Sequence, residues 1–260
     1  MWPEFKPLWH ELQKAEGLLQ VAGGYGLFLK QHWLIAKQSV PTVVPLRQWH
    51  DAAPRVTKDV DIVVSLDLIA SKSAQALMAQ ALERCGFGLD PKAPKPRWQF
   101  SKQIGADRQM LVEFHAQLPD ARHKNLAIDK RRRVKHKPSL GEHGIHGRQN
   151  PEAVGSDYHP FCFEIEDLSI AVPNPVSWCL MKLGALRDRW RKSQDQTRDA
   201  EYRNFHREQA MKHSRDVCRA VALMTLEERN HTRSVLEIIR PTPEYQIAAP
   251  LCAELFAAAG

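Results

Sequence analysis

Six consecutive residues constrain the fold more than any other stretch: Asp59-Val60-Asp61-Ile62-Val63-Val64. β-Branched residues dominate the run, and carboxylate and apolar side chains alternate at its start. It therefore predicts a strand, with Asp59 and Asp61 leaving the same face of a sheet. Two like charges on one face raise each other's pKa and cost stability unless a cation compensates. Hard oxygen ligands spaced this closely are what Mg²⁺ bound to substrate phosphates uses.

The flanking sequence predicts more of a sheet. Leu18 to Ala22 reads as a short strand stopped by Gly23-Gly24, between a helix over about 3–16 and another over about 25–37. Leu68 to Arg84 reads as one helix ending at Cys85-Gly86. Arg97–Lys102 and Gln109–Gln117 read as a hairpin around Gly105-Ala106-Asp107. In the second of these runs, Glu113 stands where an adjacent strand would bring it beside Asp59 and Asp61. Three carboxylates converging from neighbouring strands form the arrangement used for phosphoryl or nucleotidyl transfer.

Beyond residue 160 the pattern predicts strands at Phe161–Glu166 and Leu168–Val172. Pro173-Asn174-Pro175 then starts a helix to about Arg191, a polar stretch follows, and helices cover about 208–224 and 226–239. The expected fold class is α+β: a mixed sheet flanked by helices, then a helical C-terminal half. The expected domains are 1–172, carrying a basic insert at about 118–160, and 173–260.

Charge is localised. The 260 residues carry 37 Lys and Arg against 30 Asp and Glu, a net +7. The window from Ala121 to Arg148 supplies all of it, so the rest of the chain is neutral. Such a segment is either a solvated loop or a polyanion contact, and Lys130, Arg131, Arg132, Arg133, Lys135 and Lys137 are its candidate RNA-binding residues. Five widely spaced cysteines without a Cys-x-x-Cys pair indicate neither a disulfide framework nor a zinc site, and the cytoplasm is the expected compartment. No apolar run is long enough to span a membrane.

The ordered set of Gly23-Gly24, Arg55-x-Thr57-Lys58-Asp59-x-Asp61 and a later acidic strand resembles the nucleotidyltransferase superfamily of polymerase-beta type. More narrowly, it is similar to the AbiEii/AbiGii abortive-infection toxins of bacterial toxin–antitoxin and phage-defence systems. The helix after Asn174 with Lys182, and the later Lys212-x-x-x-Asp216 element, resemble that family's C-terminal half. The resemblance implies a fold of nucleotidyltransferase type and a transfer of NMP from NTP to an acceptor hydroxyl. Gly23 and Gly24 would hold the triphosphate, with Thr57, Lys58 and Lys212 also at the nucleotide. Asp59 and Asp61 would ligate Mg²⁺, joined by Glu113; Lys182 would neutralise triphosphate charge, and Asp216 would face nucleotide or acceptor. The basic run Lys130–Lys137 favours a polyanion such as tRNA as the acceptor, a protein hydroxyl or an antibiotic being the alternatives, and the resemblance adds an antitoxin protein as partner. Two features depart from the family pattern: 34 residues separate Gly24 from Asp59, and Tyr25 replaces a small polar residue.

Competing readings are a non-catalytic module that grips NTP or RNA, and a small-molecule transferase of the aminoglycoside-modifying kind. His143 and His146 have metal-like spacing but sit in a Gly-rich stretch without a partner ligand, so they read as loop residues. Cys85 has no neighbouring His to activate it. Trp178 reads as core.

Overall fold

The computed structural model describes residues 1–48, 59–89, 97–141 and 144–256. The chain divides into two compact units: Met1–Trp33, Ala53–Pro151 and Pro160–Pro173 form the first, and Leu34–Ala52, Glu152–His159 and Asn174–Gly260 the second. The class is α+β, with a mixed sheet flanked by helices and a helical C-terminal part.

In the first unit, β2 (Asp59–Val64) lies between two partners. β1 (Leu19–Val21) runs antiparallel to it, and β5 (Gln109–Ala116) runs parallel. Alternation decides which face is buried: Val60, Ile62 and Val64 of β2 and Met110, Val112, Phe114 and Ala116 of β5 are core residues. Each of these side chains larger than alanine, fully buried, contributes roughly 1.5–3 kcal/mol relative to exposure. The opposite face is left to Asp59, Asp61, Glu113 and His115.

The other edge of β5 is shared. β4 (Gln99–Gln103), itself paired with β3 (Gly88–Leu89), runs antiparallel along Gln109 to Glu113. β8 (Gly147–Gln149) then takes over, parallel, at His115 and Ala116. Gly147 makes this possible, because a Cβ there would lie 2.4 Å from Ala116 Cβ. β7 (Arg133–His136) and β6 (Leu126–Ile128) continue the sheet outward as an antiparallel hairpin. The basic segment, expected as an insert outside the sheet, thus supplies three of its strands.

The expected helix over 68–84 is two helices, α3 (Leu66–Ala70) and α4 (Lys72–Arg84). Ser65 accepts from the Leu68 amide at 3.3 Å and Ser71 from the Ala74 amide at 3.2 Å, so each serine caps its own helix and the extended backbone of Ser71 breaks the run. At the N-terminus, α1 (Trp2–Leu12) buries Phe5, Leu8, Trp9 and Leu12. α2 (Gly23–Lys37) follows β1 and continues into the second unit, and β9 (Phe161–Ile165) and β10 (Leu168–Val172) form a separate hairpin.

The second unit is built on α5 (Pro175–Ser193), α6 (Ala200–Ala222), α7 (Leu226–Ile239) and α8 (Pro243–Phe256). Its core joins Leu180, Leu183 and Leu186 to Ala210, Val217, Val235, Ile239 and Ala248. Asn174 caps α5 through the Ser177 amide at 2.9 Å, as its position before Pro175 predicts. α6 begins eight residues earlier than the expected 208, because Asp199 accepts from the Tyr202 amide at 2.7 Å and nucleates the polar stretch as helix. The segment after α2 is anchored: the Val43 amide donates to Met224 O at 2.8 Å and the Leu226 amide to Pro41 O at 3.2 Å.

Candidate metal centre

Strand register brings the carboxylates together. Asp61 is paired with Glu113 and Asp59 with Leu111 across the parallel β2–β5 ladder, so Asp59, Asp61 and Glu113 occupy one face. His115, two residues beyond Glu113, shares it. One ligand atom from each of Asp61, Glu113 and His115 fits within a 4.8 Å cluster. His115 Nε2 lies 3.1 Å from Asp61 Oδ1 and 3.7 Å from Glu113 Oε2. Carboxylate oxygens accept only, so in this arrangement Nε2–H donates to Asp61.

The glycine turn meets the same cluster from the other side. The Ala22 amide donates to Asp61 O at 2.8 Å, which closes the β1–β2 ladder just before α2. Gly23 has φ +63°, and a Cβ on it would lie 1.9 Å from Asp61 Oδ2. Only glycine lets the backbone turn there while the carboxylate rests against it. The 34 residues between Gly24 and Asp59 therefore do not separate the two motifs in space. Tyr25 turns into the core, edge-on to Phe5 with ring centroids 5.1 Å apart, and burial pushes its phenol pKa up.

The neighbouring strands supply a collar. Gln99 Nε2 donates to Glu113 Oε1 at 2.9 Å. Arg148, in register with His115, lies 3.8 Å from Glu113 Oε2 and stacks over the Trp98 ring at 5.2 Å from its centroid. Its side chain keeps 54% of its surface in solvent, whereas Glu113 keeps 16%. Burial pushes the Glu113 carboxyl above its ordinary range; His115 and Arg148 counter this, and the charges of Asp61 and Asp59 reinforce it. A carboxylate in this position gains from a cation beside it.

The basic hairpin is more ordered than a free loop. Arg133 grips Asp129 through Nε at 2.8 Å and through its Nη2, and Lys135 Nζ lies 3.7 Å from the same oxygen. Arg133 and Lys135 are thereby partly neutralised, while Lys130, Arg131 and Arg132 remain exposed in the β6–β7 turn and Lys137 is exposed at the far end of the hairpin, after β7. Arg133 is also in register with Arg148, which puts the two guanidinium groups on one face of the sheet.

Within the second unit, Lys182 Nζ donates to Asp216 Oδ2 at 2.8 Å, and both residues are buried. The two positions taken from the family resemblance thus meet in one buried ion pair between α5 and α6. Lys212 donates to Gln209 Oε1 at 3.4 Å. Thr57, Lys58 and His143 lie outside the described residues; His146 is buried, and its amide donates to Arg97 O at 2.9 Å. Burial pushes the Cys85 thiol pKa up, away from the thiolate a nucleophile needs. Trp178 is a core residue.

His115 and Arg148 are the site residues that sequence reasoning missed. His115 had a signal, since it follows Glu113 at the period-two spacing. Arg148 had none, because its position depends on β8 entering the sheet between β5 and β7. No family model matches the chain, and no curated protein matches it. Among the described residues no helix is long and apolar enough to cross a membrane.

Proposed function

We propose that the protein is a divalent-cation-dependent nucleotidyltransferase that moves an NMP group from an NTP to an acceptor hydroxyl, with RNA as the acceptor. The observation that carries this reading is the convergence of Asp61, Glu113 and His115 within 4.8 Å, beside Asp59 and against the glycine turn at Gly23. Donor atoms of Asp61, Glu113 and His115 lie close enough together for one cation, and by the family resemblance Asp59, Asp61 and Glu113 would hold Mg²⁺. When bound, Mg²⁺ supplies charge neutralisation to the phosphates and favours in-line displacement.

The chain's own residues have distinct parts in the reaction. The acceptor oxygen forms a bond to the α-phosphorus while the bond from that phosphorus to the bridging oxygen breaks, and pyrophosphate leaves with that oxygen's electrons. Glu113 would complete the metal shell or accept the proton of the acceptor hydroxyl. Asp59 and Asp61 keep the negative field in which the cation and its nucleotide are held. Gly23 and Gly24 present backbone without side chains at the start of α2, where amide groups and the helix dipole suit phosphate oxygens. Lys182 and Asp216 take their roles at the triphosphate and acceptor from the family resemblance, as do Thr57, Lys58 and Lys212. The exposed basic residues of the β6–β7 hairpin supply the sequence-independent attraction that an RNA backbone needs. A toxin role with a cognate antitoxin follows from the same resemblance.

The test replaces both Asp59 and Asp61 by Asn. The expected result is loss of NTP-dependent labelling of total RNA with unchanged circular dichroism. Labelling that survives in the folded double variant would overturn the assignment.

A further inference from the structure

Oxygen ligands alone do not account for this centre. One of its donors is a nitrogen, His115 Nε2, which stands 3.1 Å from Asp61 Oδ1 and 3.7 Å from Glu113 Oε2. For metal–ligand bonds of about 2.1 Å, neighbouring donors on an octahedral ion are about 3.0 Å apart and on a tetrahedral ion about 3.4 Å apart. The three side chains thus stand near coordinating separation without a change of strand register. Their backbones cannot drift apart, because Asp61 and Glu113 are cross-strand partners and His115 lies on the same strand as Glu113. Gly23 backs Asp61 Oδ2, and Gln99 holds Glu113 Oε1 at 2.9 Å, which leaves Oδ1 and Oε2 as the atoms turned toward the imidazole.

Imidazole changes which ion such a set prefers. Carboxylates suit Mg²⁺, Ca²⁺ and Mn²⁺, whereas imidazole suits first-row transition ions, and affinity at mixed N/O sites climbs from Mn²⁺ upward along that series. We infer that His115 is a direct metal ligand and that Asp61, Glu113 and His115 form a mixed nitrogen–oxygen site that prefers first-row transition ions to Mg²⁺, with Mn²⁺ as the probe ion. The inference rests on the reading of this face as a cation-dependent centre and adds the class of its ion. It is independent of turnover, because the site holds the ion whether or not a nucleotide is present.

The experiment measures Mn²⁺ and Mg²⁺ binding to the full chain by titration calorimetry, and examines the Mn²⁺ complex by pulsed electron paramagnetic resonance. Wild type is expected to bind Mn²⁺ at least about tenfold more tightly than Mg²⁺ and to show ¹⁴N coupling from one imidazole. His115→Ala and His115→Gln are both expected to lose the coupling and weaken Mn²⁺ binding by about tenfold or more, while Mg²⁺ binding changes little. The Gln variant retains side-chain volume and guards against a misfolded Ala variant, with the melting temperature as the check. Mn²⁺ bound without ¹⁴N coupling, or with the same affinity in either folded variant, would overturn the inference. Mn²⁺ binding with imidazole coupling but without nucleotidyl transfer would instead overturn the proposed function alone.

Discussion

Gly23 and Asp61 fit together through a missing side chain: a Cβ on Gly23 would lie 1.9 Å from Asp61 Oδ2. The glycine is thus a packing partner of the carboxylate as well as a turn residue. Gly23→Ala forces a left-handed backbone on an L residue, at about 1–2 kcal/mol, and pushes the Asp61 side chain out of the cluster. We expect a lower melting temperature together with loss of divalent-ion binding by calorimetry. Ion binding unchanged in the folded variant would show that Asp61 does not need this support.

Arg148 is the cation that stands beside the carboxylate cluster with most of its side chain in solvent, held over Trp98. In the proposed reaction its guanidinium would meet a substrate phosphate. Arg148→Ala should raise KM for the nucleotide or RNA by about tenfold, the value of one charge-assisted hydrogen bond, with a smaller change in kcat. Trp98→Phe should retain the stacking and Trp98→Ala should reproduce part of the Arg148 loss. Steady-state kinetics at two salt concentrations make the comparison.

Lys182 and Asp216 form a buried pair, and Arg219 Nη1 is a second cation 3.9 Å from Asp216 Oδ1, so removal of Lys182 weakens the compensation of the buried carboxylate. Lys182→Met should cost less than the roughly 3–5 kcal/mol of a buried charge with no partner, because Arg219 remains, and adding Asp216→Leu should recover part of it. Denaturant melts give both values. If the pair also serves the reaction, the stable double variant remains inactive; recovered activity would make the pair purely architectural.

Asp129 orders the turn of the basic hairpin. Burial acts to raise its pKa, but hydrogen bonds from the Arg133 side chain and from the Arg131 and Arg133 amides outweigh this and hold the carboxyl down at about 2. A depressed carboxyl contributes stability that is present above its unfolded pKa and is lost as pH falls through the folded value. Amide exchange at Ala127, Lys135 and their neighbours should therefore stay slow at pH 5 and quicken between about pH 4 and pH 2. Asp129→Ala should bring the fast behaviour to neutral pH, with a local cost of about 1–2 kcal/mol.

The carboxylate face was legible because its information is local. A period of two in Asp59–Val64 and in Gln109–Ala116 sets which side chains share a face, and only the register had to be supplied by the fold. His115 was equally accessible by that rule, since it follows Glu113 at the period-two spacing; its closeness to Asp61 came only with the register. The Gly23–Asp61 contact depends on β1 and β2 pairing across a long intervening segment, which no local pattern encodes. The strands of the basic segment escaped because they are short and polar: β7 is Arg133-Val134-Lys135-His136, with one aliphatic side chain. The early start of α6 escaped because charged residues hide a helix that Asp199 caps and intrinsic propensity sustains.

Nucleotidyl transfer is tested most directly by following the two ends of the triphosphate separately. The protein is incubated with Mg²⁺ or Mn²⁺, total RNA and each NTP labelled at either the α- or the γ-phosphorus. The account predicts that the α label enters the RNA while the γ label leaves as pyrophosphate, and that both events vanish in the Asp59→Asn, Asp61→Asn double variant. A γ label on the acceptor, or no transfer of either label with any NTP, would contradict it.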